Sequence, residues 1–361
     1  MSGGADDRFL LRALDLARRA WGETHPNPMV GALVVEGATV VAEGWHARAG
    51  EPHAEVVALR GWSGRNPEAA VLYITLEPCS THGRTPPCVD AIIQSGIRQV
   101  VVGTVDPNPL HAGRGLTRLR EAGIAVRLAE GSTERACRRL NLIFNHVITQ
   151  RRPLVALKVA RDSEGRTIPV AGARYLTGPA ALADVMHWRQ LFPAIVVGAG
   201  TVMADNPRLS ARLTDGDRFP IRLILDPSGR LMGQRGLHVL SDAQANQTRV
   251  LLDPSRAASA YAAWLAAQGV TPWLCEGNDF LSWAFRRAGQ EGISGMMVEA
   301  GPTLGRALLA GRHLDYGLIY TATEAKADPC TPAWLPDPLP LTDADSHNFG
   351  PDRLDEGFWS Y

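Results

Sequence analysis

No run of uncharged apolar residues in the 361-residue chain approaches the roughly 20 needed to cross a bilayer, so no membrane span is expected. Charge of one sign is missing too, with 37 basic residues standing against 37 acidic ones. That balance gives no electrostatic reason to expect nucleic acid or an anionic membrane surface as partner. Aromatic residues make up only 6% of the chain, few for the stacking platforms of a single-strand binder. Five cysteines are an odd number and too sparse for a disulfide framework. The first residues lack the basic-then-apolar pattern of a secretory signal, and the expected compartment is the cytoplasm.

Two successive stretches of alternating strand and helix signals are present, which argues for α/β architecture in both halves. In the first, Phe9 to Trp21 reads as a helix, and Met29–Val35 and Thr39–Trp45 as strands turning at Glu36-Gly37. Strands follow at 71–75, 99–103 and 124–128, helices at 53–59, 89–94 and 116–122, and one closing helix at Ala136–Thr149. Arg151-Arg152-Pro153 breaks the pattern, placing domains at 1–150 and 151–361. The second half alternates again from the strand Leu154–Val159 onward. The Pro- and Asp-rich stretch Asp328–Asp352 reads as irregular.

The chemistry concentrates in Pro52-His53-Ala54-Glu55, Glu77-Pro78-Cys79 and Pro87-Cys88. One His and two Cys can hold a tetrahedral zinc with its fourth position open to water, while a Glu that is not a ligand moves protons. His53 and Glu55 stand at the start of a predicted helix, and Cys88 precedes another, so two helix N-termini favour the thiolates. Eight residues separate Cys79 from Cys88, where the common signature has two. A purely structural zinc would need a fourth protein ligand, for which His82 is the candidate. Glu55 beside His53 argues for catalysis instead.

The long segment Thr75 to Cys88 resembles the bifunctional riboflavin biosynthesis deaminase/reductases. So do His25-Pro26-Asn27-Pro28-Met29-Val30-Gly31, Gly44-Trp45-His46, and Asp106-Pro107-Asn108-Pro109 with Gly113-Arg114-Gly115. The resemblance implies a cytidine-deaminase-like three-layer α/β/α sandwich followed by a dihydrofolate-reductase-like α/β domain. It further implies zinc-dependent deamination of a diaminopyrimidinone ribosylamino 5′-phosphate, then NADPH reduction of ribosyl to ribityl, in a homo-oligomer. Glu55 would be catalytic, His53, Cys79 and Cys88 the zinc ligands, and Asn27, His46, Arg84, Asp106 and Asn108 the substrate contacts. Asn27 and Asn108, each before a proline, also suit turn chemistry alone. Thr81 stands where the family has His.

In the second half the family's pattern falls on Lys158, Gly165-Arg166-Thr167, Thr177-Gly178, Arg189, Val197 to Leu209, and Val298 to Leu304. The resemblance places Lys158, Arg189, Asp205, Leu209, Arg212 and Glu299 at the reductase substrate, and Thr177, Thr201 and Gly301 at NADPH. Several positions depart, among them Asp162-Ser163-Glu164, Ala173-Arg174-Tyr175, Asp226-Pro227-Ser228 and Glu324-Ala325-Lys326. Those departures keep open a second reading, in which an active deaminase carries a reductase fold that is inactive or has altered substrate. Two further readings are a nucleic-acid deaminase, which the neutral charge disfavours, and a C-terminal half that only assembles subunits.

Overall fold

The computed structural model describes residues 3–64, 66–81, 86–254, 259–324 and 327–361. It divides into two compact units, Met1–Arg151 and Arg152–Tyr361.

The first unit opens with α1 (Gly3–Arg18), β1 (Gly31–Glu36), β2 (Thr39–Trp45), α2 (Ala54–Gly61) and β3 (Ala70–Ile74). It continues with α3 (Cys88–Ser95), β4 (Gln99–Val102), α4 (Arg114–Glu121) and β5 (Ala125–Leu128). Two short helices close it, α5 (Gly131–Leu140) and α6 (Leu142–Gln150). The sheet order is β2-β1-β3-β4-β5, antiparallel around β1 and parallel from β3 to β5.

Strand alternation builds the three layers, because successive side chains point to opposite faces. Leu33 and Val35 meet Phe9, Leu10, Ala13 and Leu16 of α1 on one face. Ala32 and Val34 point the other way, into a core shared with Ala54 and Ala58 of α2, Val89 and Ile92 of α3, and Leu116 and Leu119 of α4. Close packing of α2 on β2 depends on Gly44, where a Cβ would stand 2.4 Å from the Ala54 carbonyl oxygen. That contact fixes the height of the α2 N-terminus, and with it His53 and Glu55.

The closing helix expected over Ala136–Thr149 is in fact broken at Asn141 (φ −105°, ψ 37°). The physical reason is a competing partner. Asn141 Oδ1 accepts from Met29 N at 2.7 Å, and its Nδ2 donates to Met29 O at 2.9 Å. A side chain that pairs with another segment's backbone in this way opposes helix continuation.

The second unit begins with β6 (Leu154–Asp162), α7 (Pro179–Leu191), β7 (Ala194–Gly198), α8 (Ala199–Asp205), β8 (Ala211–Leu213) and β9 (Gly216–Arg218). Next come β10 (Ile221–Leu225), α9 (His238–Ser241), β11 (Thr248–Leu252), α10 (Ser259–Ala267), β12 (Thr271–Leu274) and α11 (Phe280–Gln290). The last elements are β13 (Gly295–Glu299), α12 (Pro302–Ala310), β14 (Tyr316–Ala322), β15 (Leu341–Phe349) and β16 (Asp352–Trp359). Its main sheet runs β12-β11-β10-β7-β13-β6-β14-β16-β15, parallel as far as β14, with β16 and β15 antiparallel at one edge. One face packs Leu157, Val196, Leu223, Met296 and Val298 against Trp283, Phe285 and Ala288 of α11.

The irregular stretch expected over Asp328–Asp352 contains the nine-residue strand β15, which corrects that reading. As an edge strand it is mostly exposed, so it shows no buried apolar period. Its order comes from backbone pairing with β16 and from polar contacts such as Ser346 Oγ to Asp355 Oδ1 at 2.7 Å.

Candidate active sites

In the first unit, His53 is the residue at which α2 starts, Glu55 lies in its first turn, and Cys88 is the first residue of α3. Cys79 comes from the loop after β3. His53 Nδ1 lies 3.2 Å from Cys88 Sγ and 3.6 Å from Cys79 Sγ, and all three ligand atoms fall within 4.8 Å of one another. A tetrahedral zinc with ordinary bond lengths holds nitrogen and sulfur about 3.6 Å apart, so this donor set fits the metal. The Cys88 backbone N–H also points at Cys79 Sγ, 3.3 Å away. Contact with Cys88, reinforced by His53, pulls the Cys79 thiol well below its ordinary range, while the same contact pushes Cys88 up. A thiolate and a thiol in contact suit a divalent cation, which would displace the one remaining proton and bind both sulfurs. His53, Cys79 and Cys88 are the one such group among the described residues; His82 lies outside them.

Glu55 is 3% exposed, and burial pushes its carboxyl up to about 7. A carboxyl poised near neutrality suits a group that must both take and return a proton.

His46 packs edge-on to His53, with ring centroids 5.3 Å apart. Its Nδ1 donates to Pro52 O at 3.1 Å, which leaves Nε2 to accept from Asn27 Nδ2 at 3.2 Å. Asn27 is itself held by Thr24, whose carbonyl accepts from Asn27 N at 2.7 Å, and through Met29 by Asn141. On the opposite loop, Asp106 Oδ1 accepts from Asn108 N at 2.8 Å, and Asn108 Oδ1 from Leu110 N at 3.1 Å. Turn chemistry therefore uses one of the two Asp106 carboxylate oxygens and the only side-chain oxygen of Asn108, whose NH2 is left as donor. Burial raises the Asp106 carboxyl, and Cys79 acts on it in the same direction. Arg84 lies outside the described residues.

In the second unit, Lys158 of β6 and Glu299 of β13 are register partners on adjacent parallel strands. Arg189 of α7 closes the cluster with two bonds to the Glu299 carboxylate, at 2.7 and 2.9 Å, and donates a third to Ser210 O at 2.9 Å. Burial alone would raise the Glu299 carboxyl, but Arg189 and then Lys158 outweigh it and hold it at about 2. Burial lowers the Lys158 amine against the pull of Glu299. Arg212 is exposed and adds to the field that keeps Glu299 charged. Leu209 is buried at a positive φ of 55°, one residue before Ser210. Asp205 is exposed at the last position of α8, and no hydrogen bond ties it to this cluster among the described residues.

Thr201 lies in the first turn of α8 and Gly301 immediately precedes α12. Their strands β7 and β13 are parallel neighbours, so both turns open at the same sheet edge. A Cβ at Gly198 or Gly301 would meet nothing within 4 Å. Open backbone at the carboxyl ends of adjacent parallel strands fits a dinucleotide phosphate. Buried Thr177 precedes Gly178, whose N–H donates to Asp352 Oδ2 at 2.7 Å at the start of α7.

The contacts of two residues, Asn141 and Glu77, carry no local sequence signal. Glu77 stands in the segment Thr75 to Cys88, but nothing there marks it as a partner of backbone groups far along the chain.

A triad of zinc-ligand type beside a buried Glu, in an α/β/α unit followed by a parallel-sheet unit with a charged cluster, defines a zinc deaminase joined to a reductase-like domain. Residues 4–104 match the cytidine and deoxycytidylate deaminase zinc-binding region, and residues 153–323 match the RibD C-terminal domain. The riboflavin biosynthesis protein RibD of Aquifex aeolicus is 38% identical over 88% of this chain and 86% of its own length. That of Escherichia coli is 37% identical over 88% of this chain and 87% of its own. Acinetobacter baumannii RibD superposes with a TM-score of 0.77 at 32% identity, covering 99% of both chains. A diaminohydroxyphosphoribosylaminopyrimidine deaminase/5-amino-6-(5-phosphoribosylamino)uracil reductase of Thermotoga maritima gives 0.78 at 31%, again over 99% of both. The chain belongs to the RibD family of riboflavin biosynthesis proteins.

Proposed function

We propose that the first unit deaminates 2,5-diamino-6-ribosylamino-4(3H)-pyrimidinone 5′-phosphate and the second reduces the ribosyl of the product to ribityl. The enzyme serves riboflavin biosynthesis and uses Zn2+ and NADPH. The observation that carries this reading is the convergence of His53, Cys79 and Cys88 beside buried Glu55.

His53, Cys79 and Cys88 would hold zinc, which when bound would supply Lewis-acid activation of a water at neutral pH. The Glu55 carboxylate takes a proton from the attacking water and returns it to the exocyclic amino nitrogen. A carbon–oxygen bond forms, the carbon–nitrogen bond breaks, and ammonia leaves. Asn27, His46, Asp106 and Asn108 line up the heterocycle and its sugar from the two flanking loops, and Arg84 meets the phosphate.

NADPH supplies the hydride when bound. Thr177, Thr201 and Gly301 hold it, and Lys158, Arg189, Asp205, Leu209, Arg212 and Glu299 orient the sugar phosphate. Lys158 and Arg189 offer cationic donors, and Glu299 keeps both in place. The alternative of an inactive second unit is not favoured, because the Lys158–Glu299–Arg189 cluster is assembled and the family match runs through both units.

No helix among the described residues is long and apolar enough to cross a membrane. All five cysteines are unpaired, which suits a reducing compartment, and we place the enzyme in the cytoplasm as a homo-oligomer. Light scattering reads the assembly.

The test is NADPH oxidation by the purified protein given the deaminated ribosylamino pyrimidinedione phosphate, with ammonia release from the diamino precursor measured in parallel. Both signals are expected. Ammonia without oxidation would reduce the second unit to a fold without that activity.

A further inference from the structure

The Glu77 side chain is 6% exposed and has no cation among its hydrogen-bond partners within the described residues. Its partners are three backbone donors instead. Oε2 accepts from Asp106 N at 3.1 Å and from Gly113 N at 2.9 Å, and Oε1 accepts from Gly115 N at 2.9 Å. The first donor opens the loop that carries Asp106 and Asn108, and the other two close it at the start of α4. One carboxylate thus ties both ends of that loop to the strand-following segment that ends in Cys79.

Further contacts make the docking specific. The Glu77 backbone N–H donates to Thr104 O at 2.9 Å, at the same loop's root. At Gly115 a Cβ would stand 2.3 Å from Pro78 O, so the turn into α4 and the Glu77-Pro78-Cys79 segment are pressed backbone against backbone. Negative charge at the first turn of a helix is favourable, and a carboxylate that accepts several N–H bonds is strongly localised.

From this arrangement we infer that Glu77 is a positioning residue for the deaminase, setting Asp106 and Asn108 at a fixed distance from Cys79. Both of its carboxylate oxygens are taken up by backbone donors of the loop, so its effect reaches the heterocycle through that loop. This inference rests on the deaminase reading above, so its test has one arm that needs no substrate.

In that arm, hydrogen exchange is followed at the Asp106, Gly113 and Gly115 amides of the full-length, zinc-loaded enzyme. These amides exchange slowly in the wild type, and Glu77→Gln, which keeps one accepting oxygen, loses protection either at Gly115 or at Asp106 and Gly113 together. Unchanged protection overturns the inference whether or not the enzyme deaminates.

The second arm measures ammonia release from the diaminopyrimidinone ribosylamino phosphate. Glu77→Gln raises KM on the order of tenfold or more, the scale of a buried donor left without its acceptor, with zinc content and kcat little changed. Combined with Asn108→Ala it gives less than the product of the separate effects, since both act through one loop. The milder Glu77→Asp, which keeps the charge and shortens the reach, gives the same split at smaller size. Loss of zinc with a fall in kcat at constant KM, or fully independent effects with Asn108→Ala, sinks the positioning role. A wild type that releases no ammonia would overturn the deaminase reading and leave the exchange arm to decide on Glu77.

Discussion

Asn27 Nδ2 donates to His46 Nε2 across 3.2 Å, so two residues nineteen positions apart present one joined polar surface beside His53. The bond spends one N–H of the amide and leaves the second N–H and the carbonyl oxygen for a heterocycle edge. Asn27→Ala is expected to raise the deaminase KM about tenfold, as loss of one buried polar partner does, while leaving reductase turnover of the same preparation unchanged. Steady-state kinetics of both activities check this.

The proposed roles of Glu55 and Cys79 separate proton transfer from metal binding, and two variants tell them apart. Glu55→Gln should retain zinc and fold, and lose ammonia release by about 100-fold or more. Cys79→Ala should lose zinc and lower the thermal midpoint of the first unit, since metal binding adds to folding free energy. Metal analysis beside the ammonia assay tests both, and substantial turnover by Glu55→Gln would remove it from the proton-transfer role.

Arg189 makes two bonds to Glu299 from a largely buried position. Arg189→Met strands that carboxylate, and the second unit should lose roughly 3–5 kcal/mol, the usual scale for breaking a buried ion pair from one side. Urea unfolding followed by the fluorescence of that unit's tryptophans would register the change. Deaminase activity should persist.

The same pair sets a pH dependence. Glu299 is held at about 2, below its ordinary 4.5, so its native contacts add stability that is complete above about 4.5. That contribution is lost as pH falls from about 4.5 through about 2. Urea midpoints of the second unit measured across this window should fall more steeply for the wild type than for Glu299→Gln, which has no such proton to gain. Parallel slopes would contradict the assigned shift.

The metal site was legible because its residues are reactive types in short motifs, with His53 and Glu55 two apart and Cys79 and Cys88 each after a proline. The first unit's strands were legible as short apolar runs such as residues 32–35, which the structure buries on both faces. What escaped acts through partners remote in sequence. Asn141 holds the Met29 backbone 112 residues away, and that partner turns a residue unremarkable in a helix into its breaking point. Glu77 reads as a mere flank of Pro78-Cys79 until the chain returns at Gly115. The strand β15 escaped because an edge strand of Asp, Ser, His and Asn carries no apolar period.

The register pairing of Lys158 with Glu299 has a consequence for assembly. A slip of one residue between β6 and β13 would turn Glu299 towards the side where Leu157 and Val298 pack, and oppose Lys158 with an apolar neighbour. The charged pair therefore proofreads the sheet. A chain that has paired these strands wrongly loses the Lys158–Glu299–Arg189 cluster for the same reason that it is unstable, so on the proposed reading misassembled copies are silent rather than partly active.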